Sequence, residues 1–356
     1  MKNLVLLGGG YGNMRVLLRL LPNNLPQDVQ ITLVDRAPYH SLKTEFYALA
    51  AGTTPESHIR VQFPGHDRLK VVYGEVTNVD RSKQIVQLAD GTDIAYDDLV
   101  VGLGCEDNYH NVPGAEEFTY SIQSMKKSRI AYDAINSLPT GATVAVVGAG
   151  LSGIELASEL RESRSDLKIK LFDRGPRILK NFPERLSRYV QKWFDSNDVE
   201  VIANSDITKV EEGALFNHED RIDADIIAWT AGIQPVKVAR DIEGVEMYRG
   251  RIKISEHYHL PVDEHVFIVG DCAHSDVGGP SAQLAEEQGE RISIVLQKRW
   301  KGETLPATLA PIKLKGFMGA LGKKQGFVNL GNSTVTGRIA RMMKSGLLWM
   351  YKNQNG

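Results

Sequence analysis

Residues 143–153 read TVAVVGAGLSG, an apolar run that passes directly into glycines at positions 148, 150 and 153. A helical pattern follows over residues 154–161, and a second apolar run at residues 169–172 ends in Asp173. In a strand, turn and helix of this kind the first glycine permits the tight turn, the second lets the backbone approach a pyrophosphate, and the phosphates lie at the helix N-terminus. A carboxylate at the tip of the next strand accepts hydrogen bonds from a ribose. The residues predicted to bind a dinucleotide here are Gly148, Gly150, Leu151, Ser152, Gly153 and Asp173.

The charge at Asp173 bears on which pyridine nucleotide binds. A carboxylate at this position repels a 2′-phosphate, so Asp173 favours NADH over NADPH. Arg174 and Arg177 follow closely in the sequence and would attract that phosphate, which reduces the preference. NADH is therefore the expected ligand of this unit.

A second unit of the same kind opens the chain. Residues 4–13 read LVLLGGGYGN, a helical pattern follows, and a further apolar run at residues 31–34 ends in Asp35. Asn13 occupies the third glycine position, where we expect it to loosen the contact between helix and strand slightly, and we expect Gly12 beside it to offset that effect. Two complete units in one chain imply two bound dinucleotides rather than one. The residues predicted to bind this second dinucleotide are Gly8, Gly10, Gly12, Asn13 and Asp35.

A third segment indicates which of the two dinucleotides is a flavin. The apolar run at residues 266–269 ends in Gly270 and Asp271, after which Cys272 begins a turn. An aspartate at this point can hold the ribityl chain of FAD by accepting its hydroxyl protons. The alternative is an ordinary strand end followed by a turn-forming Gly-Asp pair. Beside two glycine motifs we favour the flavin, with FAD in the N-terminal unit and NADH in the other.

The composition limits the class of protein. A chain of 356 residues, 42% apolar and 24% charged, is long enough for two or more folded domains. Its two cysteines, Cys105 and Cys272, form no CxxC pair, so neither a disulfide framework nor a metal cluster is predicted. The first apolar run enters a glycine motif, which indicates a buried strand rather than a signal peptide, and no apolar stretch approaches the roughly 18 residues that span a bilayer. We expect a cytoplasmic protein with no metal and no nucleic-acid partner.

The end of the chain differs electrostatically from the rest. Glu303 is the last acidic residue, and the eight Lys and Arg residues after it carry +8, so the net charge of −2 leaves −10 for residues 1–303. A basic amphipathic helix is predicted over residues 338–352, and such a helix can bind an anionic membrane surface. Alternatively, the helix packs on this protein's own core or on a partner subunit. Its predicted apolar residues are Ile339, Met342, Met343, Leu347, Leu348, Trp349, Met350 and Tyr351, and its basic residues are Arg338, Arg341, Lys344 and Lys352.

These segments together resemble the flavoproteins with two dinucleotide-binding domains, and within them most closely the type II NADH dehydrogenases. The similarity extends from the first strand to about Gly322. Most of the shared segments belong to the wider superfamily, whereas residues 280–283 (PSAQ) and 315–322 (KGFMGALG) are more selective. The segments shared more widely are residues 39–52 (YHSLKTEFYALAAG), 99–104 (LVVGLG), 153–155 (GIE), 175–179 (GPRIL), 229–232 (WTAG) and 270–273 (GDCA).

The resemblance implies an α/β fold with two Rossmann-like domains, the second inserted into the first. We expect residues 1–110 and 236–310 to form the FAD-binding domain and residues 111–235 to form the NADH-binding domain. Residues 311–356 would be a C-terminal element that contacts a membrane or a partner. Alternating apolar residues over positions 71–88 further predict a small antiparallel ribbon.

The resemblance also implies roles for individual side chains. Glu155 would lie near the nicotinamide and orient its amide or relay a proton, although an acid in the first turn of a helix is also common for electrostatic reasons alone. Lys315 would stabilise the reduced flavin, unless it is one more lysine of the basic tail. Gln283, beside the flavin and a quinone, is the third catalytic candidate. The further residues implied in cofactor binding are Arg36, Lys43, Val76, Gly104, Gly232, Gly270, Asp271 and Ala282.

No redox cysteine pair accompanies the predicted flavin, so electrons must leave the flavin directly. The leading hypothesis is an FAD-dependent NADH dehydrogenase that passes electrons to a quinone, without proton pumping, at the inner face of the cell membrane. Two departures from the family pattern bear on it, namely the acids Glu286 and Glu287 where a neutral amide is expected, and a short C-terminus. The alternatives are a soluble NADH-dependent reductase or diaphorase with a carrier protein or small molecule as acceptor, and an NADH-sensing flavoprotein. A homodimer is left open.

Overall fold

The N-terminal part of the chain supplies most of the first sheet. The structure is a computed structural model and describes residues 1–21, 23–331 and 333–355. The strands and helices of the N-terminal part are β1 Lys2–Leu7, α1 Tyr11–Leu20, β2 Val29–Asp35, β3 His40–Ser41, α2 Phe46–Ala50, β4 Arg60–Val61, β5 Leu69–Tyr73, β6 Val76–Asp80, β7 Ile85–Leu88, β8 Asp93–Ala95, β9 Asp98–Val101 and β10 Cys105–Asp107.

The middle of the chain forms the second sheet and a small antiparallel one. Its elements are α3 Ala115–Phe118, β11 Tyr120–Ser121, α4 Met125–Asn136, β12 Thr143–Val147, α5 Leu151–Ser163, β13 Lys168–Phe172, α6 Glu184–Asp195, β14 Val199–Ile202, β15 Ile207–Glu211, β16 Ala214–Asn217, β17 Asp220–Asp223, β18 Ile226–Trp229 and β19 Ile233–Pro235.

The last part completes the first sheet and adds a C-terminal unit. Its elements are α7 Lys237–Arg240, β20 Met247–Tyr248, β21 Arg251–Ile252, β22 His259–Leu260, β23 Asp263–Ile268, α8 Ala282–Trp300, β24 Phe317–Leu321, β25 Gln325–Leu330, β26 Ser333–Thr336 and α9 Arg338–Asn355. Short 3-10 segments lie at Lys43–Glu45, Glu56–Ile59 and Gly270–Cys272.

Two sheets organise these elements. The first has the strand order β22-β23-β9-β1-β2-β5, in which only the edge strand β22 runs antiparallel to its neighbour. The second has the order β11-β18-β12-β13-β14 and is parallel throughout. Their central strands read as continuous apolar runs because both faces are covered, which is characteristic of parallel sheets. Each glycine loop follows a central strand, β1 or β12, at the carboxyl edge where such folds bind ligands.

Asn13 is accommodated by a glycine elsewhere in the fold. Its buried side-chain amide donates to the carbonyls of Leu7 and Gly8, at 2.9 and 2.8 Å. A Cβ built on Gly102 would come within 2.6 Å of the Asn13 amide nitrogen, so the missing side chain of Gly102 makes the room. Gly12 and Gly289 instead let α1 approach α8, because a Cβ on Gly289 would lie 2.3 Å from the Gly12 carbonyl oxygen and one on Gly12 would lie 3.3 Å from that of Ala285.

The predicted ribbon over residues 71–88 is partly wrong. Residues 69–73 form β5, which pairs in parallel with β2 in the first sheet. The antiparallel unit begins at Val76 and contains three strands, β6, β7 and β8. Apolar alternation alone could not separate β5 from the ribbon, because both segments are half-buried with a period of two.

The chain crosses between the two large sheets at the antiparallel pair of β10 with β19. These strands bracket the segment that we expected to form the inserted domain, and that division of the chain stays a proposal. The core of the second sheet also receives residues from outside the segment. They are Tyr47, Ala48, Ala50 and Ala51 from around α2, and Ala320, Leu321 and Phe327 from β24 and β25.

Helix α9 is present as predicted, but its orientation differs in part from the expectation. Leu348 and Tyr351, assigned to the apolar surface, lie partly buried against the cluster around Leu42 and Phe46. Lys344, assigned to the basic flank, is buried, with 7% of its surface exposed. The apolar side chains left exposed are Ile339, Met342, Met343, Leu347, Trp349 and Met350.

Among the described residues, no helix combines the length and the apolar character needed to cross a bilayer.

Candidate active site

The two glycine loops combine tight turns with open space. Gly8 and Gly153 hold the turns, because a Cβ on Gly8 would lie 2.5 Å from the carbonyl oxygen of Gly102, and one on Gly153 only 1.9 Å from that of Gly148. Gly150 is different, since a Cβ there would meet no other described atom within 4 Å.

Helices α1 and α5 begin directly after Gly10 and Gly150. At these ends, within the described chain, no side chain caps the helix and no acid stands in the first turn. A Cβ on Gly10 would approach another atom only at 3.8 Å. Free helix N-termini beside open space fit the pyrophosphates of two dinucleotides.

The two strand-end aspartates are built alike. Each carboxylate accepts one backbone N–H from its own glycine loop and one from the residue two positions further along the chain. The donors are Gly9 and Ala37 for Asp35, and Ala149 and Gly175 for Asp173, at distances of 2.6 to 2.8 Å. Burial raises the pKa of Asp35. These bonds fix both carboxylates at the strand tips and leave lone pairs for ribose hydroxyls.

The arginines after Asp173 have different surroundings. Arg177 donates to the carbonyls of residues 179, 180 and 182, so its guanidinium holds the following loop. Arg174 is exposed. Of the two, Arg174 is therefore the one available to a 2′-phosphate, and Asp173 opposes it at the strand tip.

The predicted ribityl segment brings distant residues together. Lys43 Nζ lies 3.1 Å from Asp271 Oδ2, and both were predicted to bind the cofactor. Gln288 accepts the Gly270 N–H at 2.7 Å, while its own buried amide nitrogen has no hydrogen-bond partner in the described structure. Buried polar atoms are nearly always paired, so this nitrogen points to a ligand or water oxygen. Gln288 was not predicted, although its position four residues after Leu284 on the buried face of α8 could have indicated it.

Both cysteines are buried, and both thiols form hydrogen bonds with the backbone. Cys105 donates to the Asp271 carbonyl at 3.2 Å, and Cys272 donates to the Val269 carbonyl at the same distance. Burial raises the pKa of Cys105 and raises that of Cys272 to about 12. Neither is a thiolate at neutral pH, and a thiol is a weak nucleophile compared with its thiolate.

Gln283 and Lys315, both predicted to lie near the flavin, lie beside each other. The Lys315 backbone N–H donates to Gln283 Oε1 at 3.3 Å, and the Lys315 side chain is exposed. It lines a cavity of about 340 Å³ between α1, α8 and α9. Burial raises the pKa of Glu286 in the same wall. The residues lining the cavity are Arg15, Leu18, Glu286, Lys315, Leu347, Met350 and Tyr351.

Glu155 is buried and bound on two sides. Its Oε1 accepts the Ala320 N–H at 2.9 Å and contacts Lys344 Nζ at 2.5 Å. The same ammonium lies 2.7 Å from the Tyr47 hydroxyl and 3.5 Å from Glu45 Oε1. Burial raises the pKa of Glu155, and Lys344 opposes the rise. Glu155 is thus more than an exposed first-turn acid, and its partners were not predicted because each comes from a distant part of the chain.

The remaining predicted residues surround these groups or lie further out. Arg36 is largely exposed, 4.0 Å from Glu75, and Val76 begins β6. Gly104 and Gly232 lie at the crossing, where their carbonyls accept the N–H groups of residues 236 and 108. The residues that begin helices are Leu151 and Ser152 in α5 and Ala282 in α8.

Two mainly parallel sheets, each with a glycine loop and a strand-end carboxylate, define an oxidoreductase that holds two dinucleotides. Comparison with known proteins agrees. Residues 2–289 match the family described as pyridine nucleotide-disulphide oxidoreductase, and the chain belongs to that family.

Two relatives and one solved structure show which proteins of this kind the chain is similar to. The chain is 61% identical to the NADH dehydrogenase-like protein YutJ of Bacillus subtilis (strain 168), over 356 residues and 100% of both chains. It is 24% identical over 381 residues to the type II NADH:quinone oxidoreductase of Staphylococcus saprophyticus, covering 96% of this chain and 93% of that one. The solved structure of NDH2 from Plasmodium falciparum in complex with NADH aligns with a TM-score of 0.84 at 14% identity, covering 97% of this chain and 94% of the other.

These findings confirm the resemblance, the α/β fold with two dinucleotide-binding domains, and the class of enzyme. The protein is an NADH dehydrogenase-like flavoprotein oxidoreductase, with FAD and NADH as its cofactors.

Proposed function

We propose that this protein is an FAD-dependent NADH:quinone oxidoreductase that works on the inner face of the cell membrane without pumping protons. FAD would bind at the N-terminal glycine loop and NADH at the second. When bound, FAD would supply the chemistry that accepts a hydride from NADH and delivers electrons to an acceptor. The chain's own residues bind and orient both dinucleotides and admit the acceptor.

Residues around the first sheet support FAD binding along the whole length of the cofactor. Gly10 leaves space for a pyrophosphate, and Asp35 offers lone pairs to a ribose. Further along, the Lys43–Asp271 pair and the unpaired amide of Gln288 lie where a ribityl chain would run. A lysine, a carboxylate and an amide together offer hydrogen-bond donors and acceptors. They suit the hydroxyls of a ribityl chain, which both donate and accept hydrogen bonds.

Three residues would act in catalysis, namely Lys315, Gln283 and Glu155. Lys315 would offset the negative charge of the reduced flavin, since its exposed side chain lines the cavity beside Gln283. Gln283 holds the backbone of Lys315 at 3.3 Å and so positions that segment. Glu155 would orient the nicotinamide from α5, the helix that begins at the second glycine loop.

The observation that carries the quinone proposal is the cavity between α1, α8 and α9. Leu347 and Met350 form one side of it and also belong to the exposed apolar surface of α9. Lys315 and Glu286 form its polar side. An apolar molecule with a polar head could therefore enter from the surface of α9 and bring its carbonyl to polar groups beside Gln283.

The exposed surface of α9 supports a membrane location. Its six exposed apolar side chains lie on one side of the helix, and Met342 and Trp349 are 71% and 66% exposed. Arg338 and Lys352 lie at one edge of that side on the helical projection, whereas Arg341 turns towards α5. A helix with an apolar face and basic borders binds anionic lipid surfaces.

Anaerobic flavin spectroscopy tests the proposal. The purified protein should show a flavin spectrum that NADH bleaches much faster than NADPH, and a menaquinone analogue should restore it. Bleaching without reoxidation by the quinone would favour a soluble reductase with another acceptor. A protein without bound flavin would contradict the proposal outright.

A pair of variants tests the cavity itself. Leu347→Trp fills it and should raise KM for a water-soluble quinone by about tenfold, the factor that corresponds to about 1.4 kcal/mol of lost binding. Bleaching by NADH should stay at the wild-type rate. Leu330→Trp, at an exposed leucine of β25 outside the cavity, is the control and should change neither reaction.

A further inference from the structure

A buried lysine joins three separate parts of the fold. Lys344 of α9 is 7% exposed, and its ammonium contacts Glu155 of α5 at 2.5 Å. It also contacts the Tyr47 hydroxyl at 2.7 Å and Glu45 at 3.5 Å, both from the N-terminal part. The ammonium also lies 4.6 Å from the centroid of the Tyr47 ring. The two dinucleotide-binding parts and the C-terminal helix thus meet at one cation.

A second ion pair repeats this contact one turn away. Arg341 Nη2 of α9 lies 3.8 Å from Glu159 Oε1 of α5, and Glu159 is 1% exposed. Residues three or four apart share one face of a helix, so α9 meets α5 through two cations and two carboxylates. The two ion pairs therefore fix the position of α9 along α5.

The charges in this cluster depend on one another. A buried carboxylate without a cation takes up a proton, because burial disfavours its charged form. Burial acts against the ammonium as well, but Glu155, Tyr47 and Glu45 together hold the pKa of Lys344 well above its usual range. Lys344 is thus the only described cation within 4 Å of Glu155. Its removal would leave that carboxylate to protonate.

The cluster also connects the surface with the site. Lys344 points inward from α9, while Met343 and Leu347 beside it are exposed on the outer side. Glu155 lies in the second turn of α5, whose N-terminus follows the second glycine loop. One helix therefore carries the proposed membrane surface on one side and the partner of Glu155 on the other.

We infer that Lys344 is a positioning residue for NADH oxidation, which keeps Glu155 ionised and fixed at the junction of the two dinucleotide-binding parts. The reactivity of the site then depends on the docking of the C-terminal helix as well as on the glycine loops. The kinetic consequence rests on the proposed function, whereas the charge coupling does not.

Stability as a function of pH tests the coupling without any assay of activity. In Lys344→Met the folded-state pKa of Glu155 should rise further above the value of about 4.3 in the unfolded chain. Such a group stabilises the fold at low pH and loses that contribution as pH rises through its folded pKa. The Tm of the FAD-loaded variant, relative to the wild type, should therefore fall between pH 5 and pH 8.

A double variant separates the charge effect from packing. Lys344→Met with Glu155→Gln removes both charges and should restore a folded protein whose Tm follows the wild type across this range. A double variant as unstable as Lys344→Met would overturn the inference, because lysine would then support the fold by packing alone. Lys324→Met, at an exposed lysine of the same C-terminal unit, is the matched control.

Stopped-flow reduction of the flavin by NADH tests the consequence for the reaction. Lys344→Met should slow reduction by about tenfold at pH 6 and less at pH 8, because a carboxyl with a raised pKa is less ionised at the lower pH; a one-unit shift in pKa changes the ionised fraction by up to about tenfold. KM for NADH should change little, and Lys344→Arg should recover most of the rate. Identical pH profiles for Lys344→Met, Lys324→Met and the wild type, in both stability and reduction, would overturn the inference. A wild type that NADH cannot reduce would refute the proposed function and leave the stability test intact.

Discussion

Gly150 and Gly153 lie in one loop but meet different surroundings. A Cβ on Gly153 would overlap the Gly148 carbonyl at 1.9 Å, whereas one on Gly150 would enter open space. We predict that Gly153→Ala destabilises the fold by about 1–3 kcal/mol or more through overpacking. Gly150→Ala should keep the wild-type Tm in the absence of NADH and raise KM for NADH by about tenfold, because the methyl occupies the approach of the pyrophosphate.

Thermal melts with and without NADH separate these two effects. NADH should raise the Tm of the wild type much more than that of Gly150→Ala, since a ligand stabilises in proportion to its affinity. Equal stabilisation of both by NADH would show that the open space beside Gly150 is not the pyrophosphate site.

Glu286 gives the acceptor reaction an expected pH dependence. Burial raises its pKa, so Glu286 gains a proton as pH falls towards that raised value. The protonated carboxyl donates a hydrogen bond that the carboxylate cannot. We predict that KM for a water-soluble quinone decreases as pH falls from 8 to 5.5.

Glu286→Gln should remove this pH dependence, because an amide donates at every pH. Glu287→Gln is the control, since Glu287 is paired with Arg291 at 2.7 Å rather than lining the cavity. An unchanged pH slope in Glu286→Gln would assign the dependence to another group.

Single residues differ in how far the sequence could predict them. The loop glycines and Asp173 could be predicted because their roles depend on spacing within one strand, turn and helix. The contacts of Lys344 and Gln288 could not be predicted, because their partners lie 189 and 18 residues away and only the tertiary fold brings them together. Their charge or amide marks them as polar without saying what they contact.

At the level of the element, α9 shows what a helical pattern leaves undetermined. The pattern predicts the helix and its apolar residues, and the structure has both. It does not decide which side packs on the protein, because apolar residues occupy most of the circumference. Leu348 and Tyr351 pack inward on the same side as Lys344. On that side the Lys344 ammonium pairs with a buried carboxylate.

The outer side of α9 predicts binding to anionic membranes. Replacing Met342 and Trp349 with serine should lower the partition coefficient onto vesicles that contain phosphatidylglycerol by on the order of tenfold or more, because immersion of each side chain contributes about 1 kcal/mol or more. Binding should also weaken at high salt. Co-sedimentation with vesicles measures both effects.

A matched pair of substitutions makes this test specific. Met247 and Tyr248 are also exposed, at 45% and 46%, on β20, away from α9 in sequence, and their serine variants should bind vesicles like the wild type. If the α9 variant binds as tightly as these controls, another surface carries any membrane attachment.

At the level of the whole molecule, the segment of chain that forms the second sheet does not supply all of the core packed against that sheet. The two glycine units predict two dinucleotide-binding parts, and the structure has two mainly parallel sheets. Yet the core of the second sheet is completed by residues from α2 and from β24 and β25, which lie outside residues 111–235. The sequence could not predict this, because such residues are apolar wherever they pack.

We therefore predict that residues 111–235 do not fold as an isolated fragment. Without Ala48, Leu321 and Phe327, the core of the second sheet would expose apolar surface, and each lost large side chain costs about 2–5 kcal/mol against a total stability of about 5–15 kcal/mol. Circular dichroism should show no cooperative thermal transition for the fragment and a cooperative one for the full chain. A fragment that melts cooperatively, with a Tm that NADH raises, would show instead that the inserted segment is an autonomous domain and that the residues from α2, β24 and β25 only cover its surface.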